Sequence, residues 1–329
     1  MSKARPARRK AAKPTVPEVG IPLAHDSAVK HVCGTAQYID DLPEPRGLLH
    51  AYVALSTRAH ARIVRMDLDA AAAAPGVAAV MSARDLPAAN DIGPVFPGDL
   101  VFADGTVLYC GQSIFAVAAD SIDLARRAAA KAVIEYQDLP AVLSIEQALQ
   151  EQAYVLPSQV MRRGNATAAL AKARHRLTGR LAIGGQDHFY LEGQVAMAVP
   201  REDGDLLVYS STQHPTEVQH LVAKVLGKPD HAVVTEVRRM GGGFGGKETQ
   251  AAPIACIAAL LAWRTGRPVK LRLDRDDDMV LTGKRHDFLA DYDVGFDDDG
   301  RIRGVEFMLA SRCGISPDLS SAVNDRAMM

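Results

Sequence analysis

The chain has 329 residues, 48% of them hydrophobic, with a net charge of -1 and a pI near 6.8. That is enough apolar material for one large core or two, which excludes a wholly disordered chain. The near-neutral balance gives no whole-chain reason to expect nucleic acid or an anionic membrane as a partner.

The first twenty residues, MSKARPARRKAAKPTVPEVG, depart from that balance. They concentrate Lys3, Arg5, Arg8, Arg9, Lys10 and Lys13 with no acid before Glu18. Residues 1–20 read as a disordered basic tail, with contact to nucleic acid or a partner as the alternative. No apolar h-region follows. The longest apolar stretch, Ala251 to Trp263, is well short of the ~20 residues of a membrane span. Cys33, Cys110, Cys256 and Cys313 form no C-x-x-C pair, which argues against a zinc or iron–sulfur site built from nearby ligands and for a reduced, cytoplasmic compartment.

From Leu48 to Val64 the pattern reads as two strands, or as a strand and a short helix. SIFAVAA (113–119) is an apolar strand. Leu124, Ala128 and Ala132 then fall at helical spacing before a β-rich exit. These elements make a mixed first domain over residues 21–149. Residues 150–164, holding Pro157 and Gly164 between two periodic segments, read as a linker.

The segment 165–329 opens at Asn165, an N-cap for the helix TAALAKARHRL. Strands LTGRLAIGG, QVAMAVP and LLVYSST follow, with a turn at REDGD. A helix from Pro215 carries Val218, Leu221, Val222, Val225 and Leu226 on one face and is closed by Gly227. After the strand HAVVTEVRR and a glycine loop, Ala252 to Thr265 form a helix apolar on nearly every side, hence buried. VKLRLDR, FLADYDVGF and RIRGVEFMLA are strands, the last two joined by the hairpin signal DDDG. Beyond them the chain reads as polar and uncommitted, with no closing helix or strand, as in an incomplete domain.

The glycine loop, RRMGGGFGGKET (238–249), fits two phosphate-binding patterns in part. Gly241, Gly243 and Gly246 satisfy G-x-G-x-x-G, and Gly241, Gly246 and Lys247 match the P-loop except for its last letter. Glu248 stands where a P-loop needs a magnesium-binding hydroxyl, and its carboxylate would repel the phosphates. A dinucleotide fold would want an acid about 20 residues on, and Asp274 lies beyond that. A saturable nicotinamide site therefore stays as a weak alternative, beside a purely structural glycine turn. Five of the six residues 241–246 are glycine, so something approaches that backbone closely.

RRMGGGFGGKET occurs in order with GGQDHFYLE (184–192) and GRPVKLRLDRDDDM (266–279), a set that resembles the molybdenum hydroxylases of xanthine dehydrogenase type. Upstream, HVCGTAQYIDDLP (31–43) and VLYCGQSIFAVAAD (107–120) resemble the α/β hammerhead domain of the same family. The resemblance implies an α+β fold, a hammerhead domain followed by the N-terminal part of a molybdopterin-binding domain.

The same resemblance implies a molybdenum–pterin cofactor. Gln186 would hydrogen-bond an oxygen on the metal, and the main chain of Gly243, Phe244 and Gly245 would approach the cofactor. Glu248 would hold a purine, where aldehyde-oxidising relatives carry an apolar residue. It further implies iron–sulfur clusters and FAD on partner subunits, and a complementary C-terminal fragment with the general base beyond Met329. Hydroxylation of hypoxanthine or xanthine is the reading to test. An aldehyde or other N-heterocycle hydroxylase, and a non-catalytic remnant, are the alternatives. On the strand expected there, His188 and Glu192 are not placed as a zinc pair, and His188 is assigned to packing. Asp276, Asp277 and Asp278 read as a solvated acidic turn rather than a cation site.

Overall fold

The computed structural model describes residues 20–329, so the basic tail lies outside the described residues apart from Gly20. The described residues divide into two units, the second being Tyr38–Met329 and the first ending at Gln37. The described part of the first holds one short helix, Ala28–Val32.

In the second unit the strands are β1 (Leu49–Leu55), β2 (Ala61–Asp67), β3 (Val77–Ser82), β4 (Thr106–Val107), β5 (Ser113–Ala119), β6 (Val133–Asp138) and β7 (His175–Ile183). They continue as β8 (Val195–Pro200), β9 (Leu206–Ser210), β10 (Val233–Glu236), β11 (Val269–Arg272), β12 (Phe288–Phe296) and β13 (Ile302–Ser311). Seven of them form one sheet in the order β10-β9-β8-β11-β1-β5-β3. β1 pairs in parallel with β11, Leu49 opposite Val269, so early and late sequence segments share one hydrogen-bonded layer.

That layer explains the burial pattern of β5, which is buried at every position. Ala116 and Ala118 face the core under the helix Ala251–Thr265. Phe115, Val117 and Ala119 face a second core with Ala125 and Ala128 of the helix Ile122–Ala129. A strand covered on both faces has no polar side and loses the period-two signal. The helix Ala251–Thr265 is buried from Ile254 to Ala262, as its all-round apolar sequence predicts. Leu260 is fully buried there, and Leu260→Ala is expected to cost about 2–5 kcal/mol, read as a lower urea midpoint at an unchanged m-value. The helix Pro215–Leu226 packs against it, with Pro at its first turn and Gly227 closing it at φ 64°.

β7, β12 and β13 form a separate antiparallel sheet with unlike faces. On one, Arg176 pairs with Asp293 and Arg180 with Asp291, exposed ion pairs that add little to stability. On the other, Leu177, Leu181 and Ile183 of β7 and Phe307 and Leu309 of β13 are 40–64% exposed.

Several expectations change. Of the two readings for residues 48–64, two strands are correct. The helix at Asn165 stops at Lys172, because His175 opens β7 and draws the chain into the sheet. Residues 184–194 are irregular, not a strand, and Phe189 sits there at a left-handed φ of 48°. The acidic run is no solvated turn: it is the first turn of the helix Arg275–Leu281, where carboxylates meet the positive end of the dipole, and Asp278 is buried. The end of the described chain is a helix, Ser320–Met328. It has no strong apolar stripe, so the sequence hides it, and polar contacts hold it: His286 Nε2 to Ser320 Oγ at 2.8 Å and Ser311 Oγ to Asn324 Oδ1 at 2.8 Å.

Candidate functional site

β9 and β10 run parallel, and β11, antiparallel to β8 as β9 is, runs the same way. The carboxyl ends of these three strands open at one edge of the sheet, where ligands bind in open α/β layers. β9 leads into Ser211, Thr212 and Gln213, β10 into the glycine loop, and β11 into the helix Arg275–Leu281. β8 enters from the irregular segment 184–194.

Close approach by the chain's own side chains explains several of the glycines. A Cβ at Gly243 would lie 2.6 Å from Gln213 Oε1, one at Gly241 2.5 Å from Glu192 Cβ, and one at Gly246 2.7 Å from both the His188 and Tyr190 rings. Gln213 Oε1 accepts from the Gly245 N–H at 2.9 Å and from the Lys247 N–H at 3.3 Å. The Gln213 N–H donates to the Lys247 carbonyl at 2.8 Å. At the tip Phe244, 64% exposed, takes a left-handed φ of 54°, a conformation that costs a non-glycine residue of order 1–3 kcal/mol.

What the loop leaves unspent defines the site. Among the described residues, the N–H groups of Gly242, Gly243 and Phe244 and the Gln213 side-chain NH₂ have no hydrogen-bond partner. Successive unpaired amides on a glycine-rich loop make a concave anion site.

Gly243, Phe244 and Gly245 thus sit together at the tip. Glu248 stands beside them, half-buried, its Oε1 3.9 Å from the Cβ position of Gly245, with no hydrogen bond or ion pair to any described residue. Gln186 is exposed. Its carbonyl accepts from the Arg285 N–H at 3.0 Å, and its side chain bonds to no described residue. The glutamine that the fold brings onto the loop is Gln213, which sequence reasoning missed. Its only local signal is a run of small hydroxyl residues, Ser210, Ser211 and Thr212, that ends a buried strand. His188 packs its ring on Gly246, and burial and the nearby Arg285 hold its imidazole below the usual histidine range, so it is neutral at pH 7.

Beneath the loop lies a polar floor. Lys247 is fully buried, its Nζ 2.7 Å from the Glu192 carbonyl, 2.7 Å from Ser211 Oγ and 3.4 Å from Glu192 Oε2. The Tyr190 hydroxyl donates to Asp278 Oδ1 at 2.5 Å, and the Gln194 N–H donates to Asp278 Oδ2 at 2.7 Å. Burial and the adjacent Asp278 push the Tyr190 phenol well above its ordinary range. Among the described residues no group of three His, Cys, Asp or Glu side chains could hold a metal ion directly.

Known proteins match this arrangement along nearly the whole chain. The family description "Molybdopterin cofactor-binding domain" matches residues 148–329, and "Aldehyde oxidase and xanthine dehydrogenase, a/b hammerhead domain" matches residues 33–140. A xanthine dehydrogenase of Drosophila subobscura is 45% identical over 96% of this chain and 24% of its own length. One of Oryza sativa subsp. japonica is 45% identical over 94% of this chain and 23% of its own. The chain therefore spans about a quarter of the length of these relatives. Among solved structures, quinoline 2-oxidoreductase from Pseudomonas putida 86 aligns with a TM-score of 0.76 at 27% identity, covering 88% of this chain and 39% of that one. The aldehyde oxidoreductase of Desulfovibrio gigas aligns with a TM-score of 0.73 at 28% identity, covering 84% and 32%. Its two matched segments, the first of them covering more than half of the chain, assign it: the chain belongs to the molybdopterin cofactor-binding family of the aldehyde oxidases and xanthine dehydrogenases, with the hammerhead domain preceding the molybdopterin-binding domain.

Proposed function

We propose that this chain is part of a molybdenum hydroxylase acting on a purine of the hypoxanthine or xanthine kind. The observation that carries the reading is the set of unspent donors, the amides of Gly242, Gly243 and Phe244 with the Gln213 NH₂, gathered at the ligand edge of the sheet. They fit a group that presents anionic oxygens and carries its metal on ligands of its own.

When bound, the molybdenum–pterin group supplies an oxygen for transfer to an electron-poor carbon and accepts the two electrons released. The part of this chain is to bind and orient. The loop amides and Gln213 donate hydrogen bonds outward, and the exposed Phe244 ring offers an apolar face. Glu248, the partnerless carboxylate at the loop, accepts from a purine N–H and fixes the ring. The neutral ring of His188 supports Gly246 from behind without adding charge. We propose further that the general base, and the iron–sulfur and flavin centres that carry electrons away, belong to protein outside these 329 residues. The exposed apolar face of β7 and β13 supports a fold completed by further protein.

A hydroxylase of another N-heterocycle or of an aldehyde is the second reading, favoured by the quinoline and aldehyde oxidoreductases among the structural neighbours. The test is molybdenum analysis with pterin fluorescence on chain purified from a molybdenum-replete host, together with whatever co-purifies. Molybdenum near one equivalent, with partners bringing iron and flavin, is the expected result. Chain without molybdenum in the presence of those partners would overturn the reading.

A further inference from the structure

The loop is held from below at both stems by one buried ion pair. Glu192 Oε2 accepts from the Gly241 N–H at 2.8 Å and from Ser211 Oγ at 2.6 Å, and the Glu192 N–H returns a bond to the Gly241 carbonyl at 3.1 Å. Lys247, six positions on, closes the other stem: its ammonium reaches back to the Glu192 carbonyl, to Glu192 Oε2 and to Ser211 Oγ, over the face of the Tyr190 ring at 4.7 Å. Gln194 Nε2 adds a third anchor on the Gly246 carbonyl at 3.0 Å.

Stability alone does not account for this floor. Two ions taken from water cost several kcal/mol each, and an apolar pair of similar volume, replacing both residues, would pack at no such cost. Glu192 Oε1 and Gln194 Oε1 are buried without a partner, a further penalty. Directed bonds are what an ammonium and a carboxylate add over an apolar pair, and here they end on the two stems of the loop. Burial pushes the Lys247 ammonium below the usual lysine range, with the Glu192 carboxylate opposing.

We infer that Lys247 and Glu192 are positioning residues: they clamp the stems of the glycine loop and so hold the amides of Gly242–Phe244 and the Gln213 side chain in one fixed arrangement at its tip. The inference rests on the reading above that the loop faces the cofactor. Neither side chain touches substrate in this account, since Lys247 is fully buried and Glu192 nearly so.

The test is hydrogen exchange across residues 241–247 in the full chain, without cofactor, for wild type and Lys247→Met, with the urea midpoint and the molybdenum content measured alongside. The expected result has three parts: exchange at Gly241, Gly245 and Lys247 faster by about tenfold or more relative to the helix Ala251–Thr265, a midpoint lowered because the Glu192 carboxylate is left buried without its cation, and molybdenum lost in preparations where wild type carries it. Exchange as slow as wild type overturns the inference, as does faster exchange with full molybdenum retained. If Lys247→Met does not fold, Ser211→Ala, which removes one bond from each partner, takes its place with a smaller expected acceleration, and no acceleration is again fatal. Should wild type carry no molybdenum, the proposed function is what fails, and the exchange result alone still decides the clamp.

Discussion

If the complete enzyme acts on a purine as proposed, Glu248→Gln is expected to lower kcat/KM for that purine by roughly 30–150-fold, while molybdenum content stays at the wild-type level. The size follows from one charge-assisted hydrogen bond at a half-buried site, about 2–3 kcal/mol. The content should not move because Glu248 makes no hydrogen bond or ion pair to any described residue, so no fold contact is lost. Glu217 and Asp318 are both held above the usual carboxylate range, chiefly by burial, and the Glu248 charge contributes at Glu217. This acidic surrounding disfavours an anionic substrate and favours a neutral ring that presents N–H donors. Activity on a simple aldehyde, which has no N–H to offer, should change by less than about 0.5 kcal/mol. Steady-state kinetics on both substrate classes with metal content in parallel checks this. Equal losses on purine and aldehyde would move the reading to the heterocycle-or-aldehyde alternative and make Glu248 a structural acid.

The elements legible in the sequence are those where one physical signal dominates. The helix Ala251–Thr265 reads as buried because nothing polar interrupts it until its last turn, and Pro215–Leu226 because its stripe, proline and closing glycine agree. The loop announced itself through glycine density. The roles of individual glycines did not, since they depend on which side chain arrives from elsewhere: Glu192 at Gly241, Gln213 at Gly243, and His188 with Tyr190 at Gly246. Gln213 illustrates the limit. It follows a strand, and nothing within its local sequence shows that β9 lies next to β10 and so delivers it to the loop amides. Asp278 was hidden for a related reason. A run of three aspartates looks solvated until the Tyr190 hydroxyl and the Gln194 amide, brought from the segment before β8, close over one of them.

Gly243→Ala is expected to strip molybdenum from the protein while leaving the fold nearly intact, because the added methyl has only one place to go. Its carbon would lie 2.6, 2.9 and 3.1 Å from Gln213 Oε1, Cδ and Cγ, and the side-chain end of Gln213 can swing away where a backbone could not. Once it swings, the Gly245 and Lys247 amides lose their shared acceptor, and the Gln213 NH₂ is carried away from the loop with it. The stability cost is that of one or two hydrogen bonds near solvent, about 1–2 kcal/mol, since the main core clusters contain neither residue. Gln213→Ala should give the same metal loss through the opposite change, and the double variant should lose no more than either single, as expected for two sites acting through one contact. Metal content and urea midpoint for the three variants decide the matter. Full molybdenum in Gly243→Ala would show that the cofactor does not depend on Gln213 at this loop, and additive losses in the double variant would show that the two residues act separately.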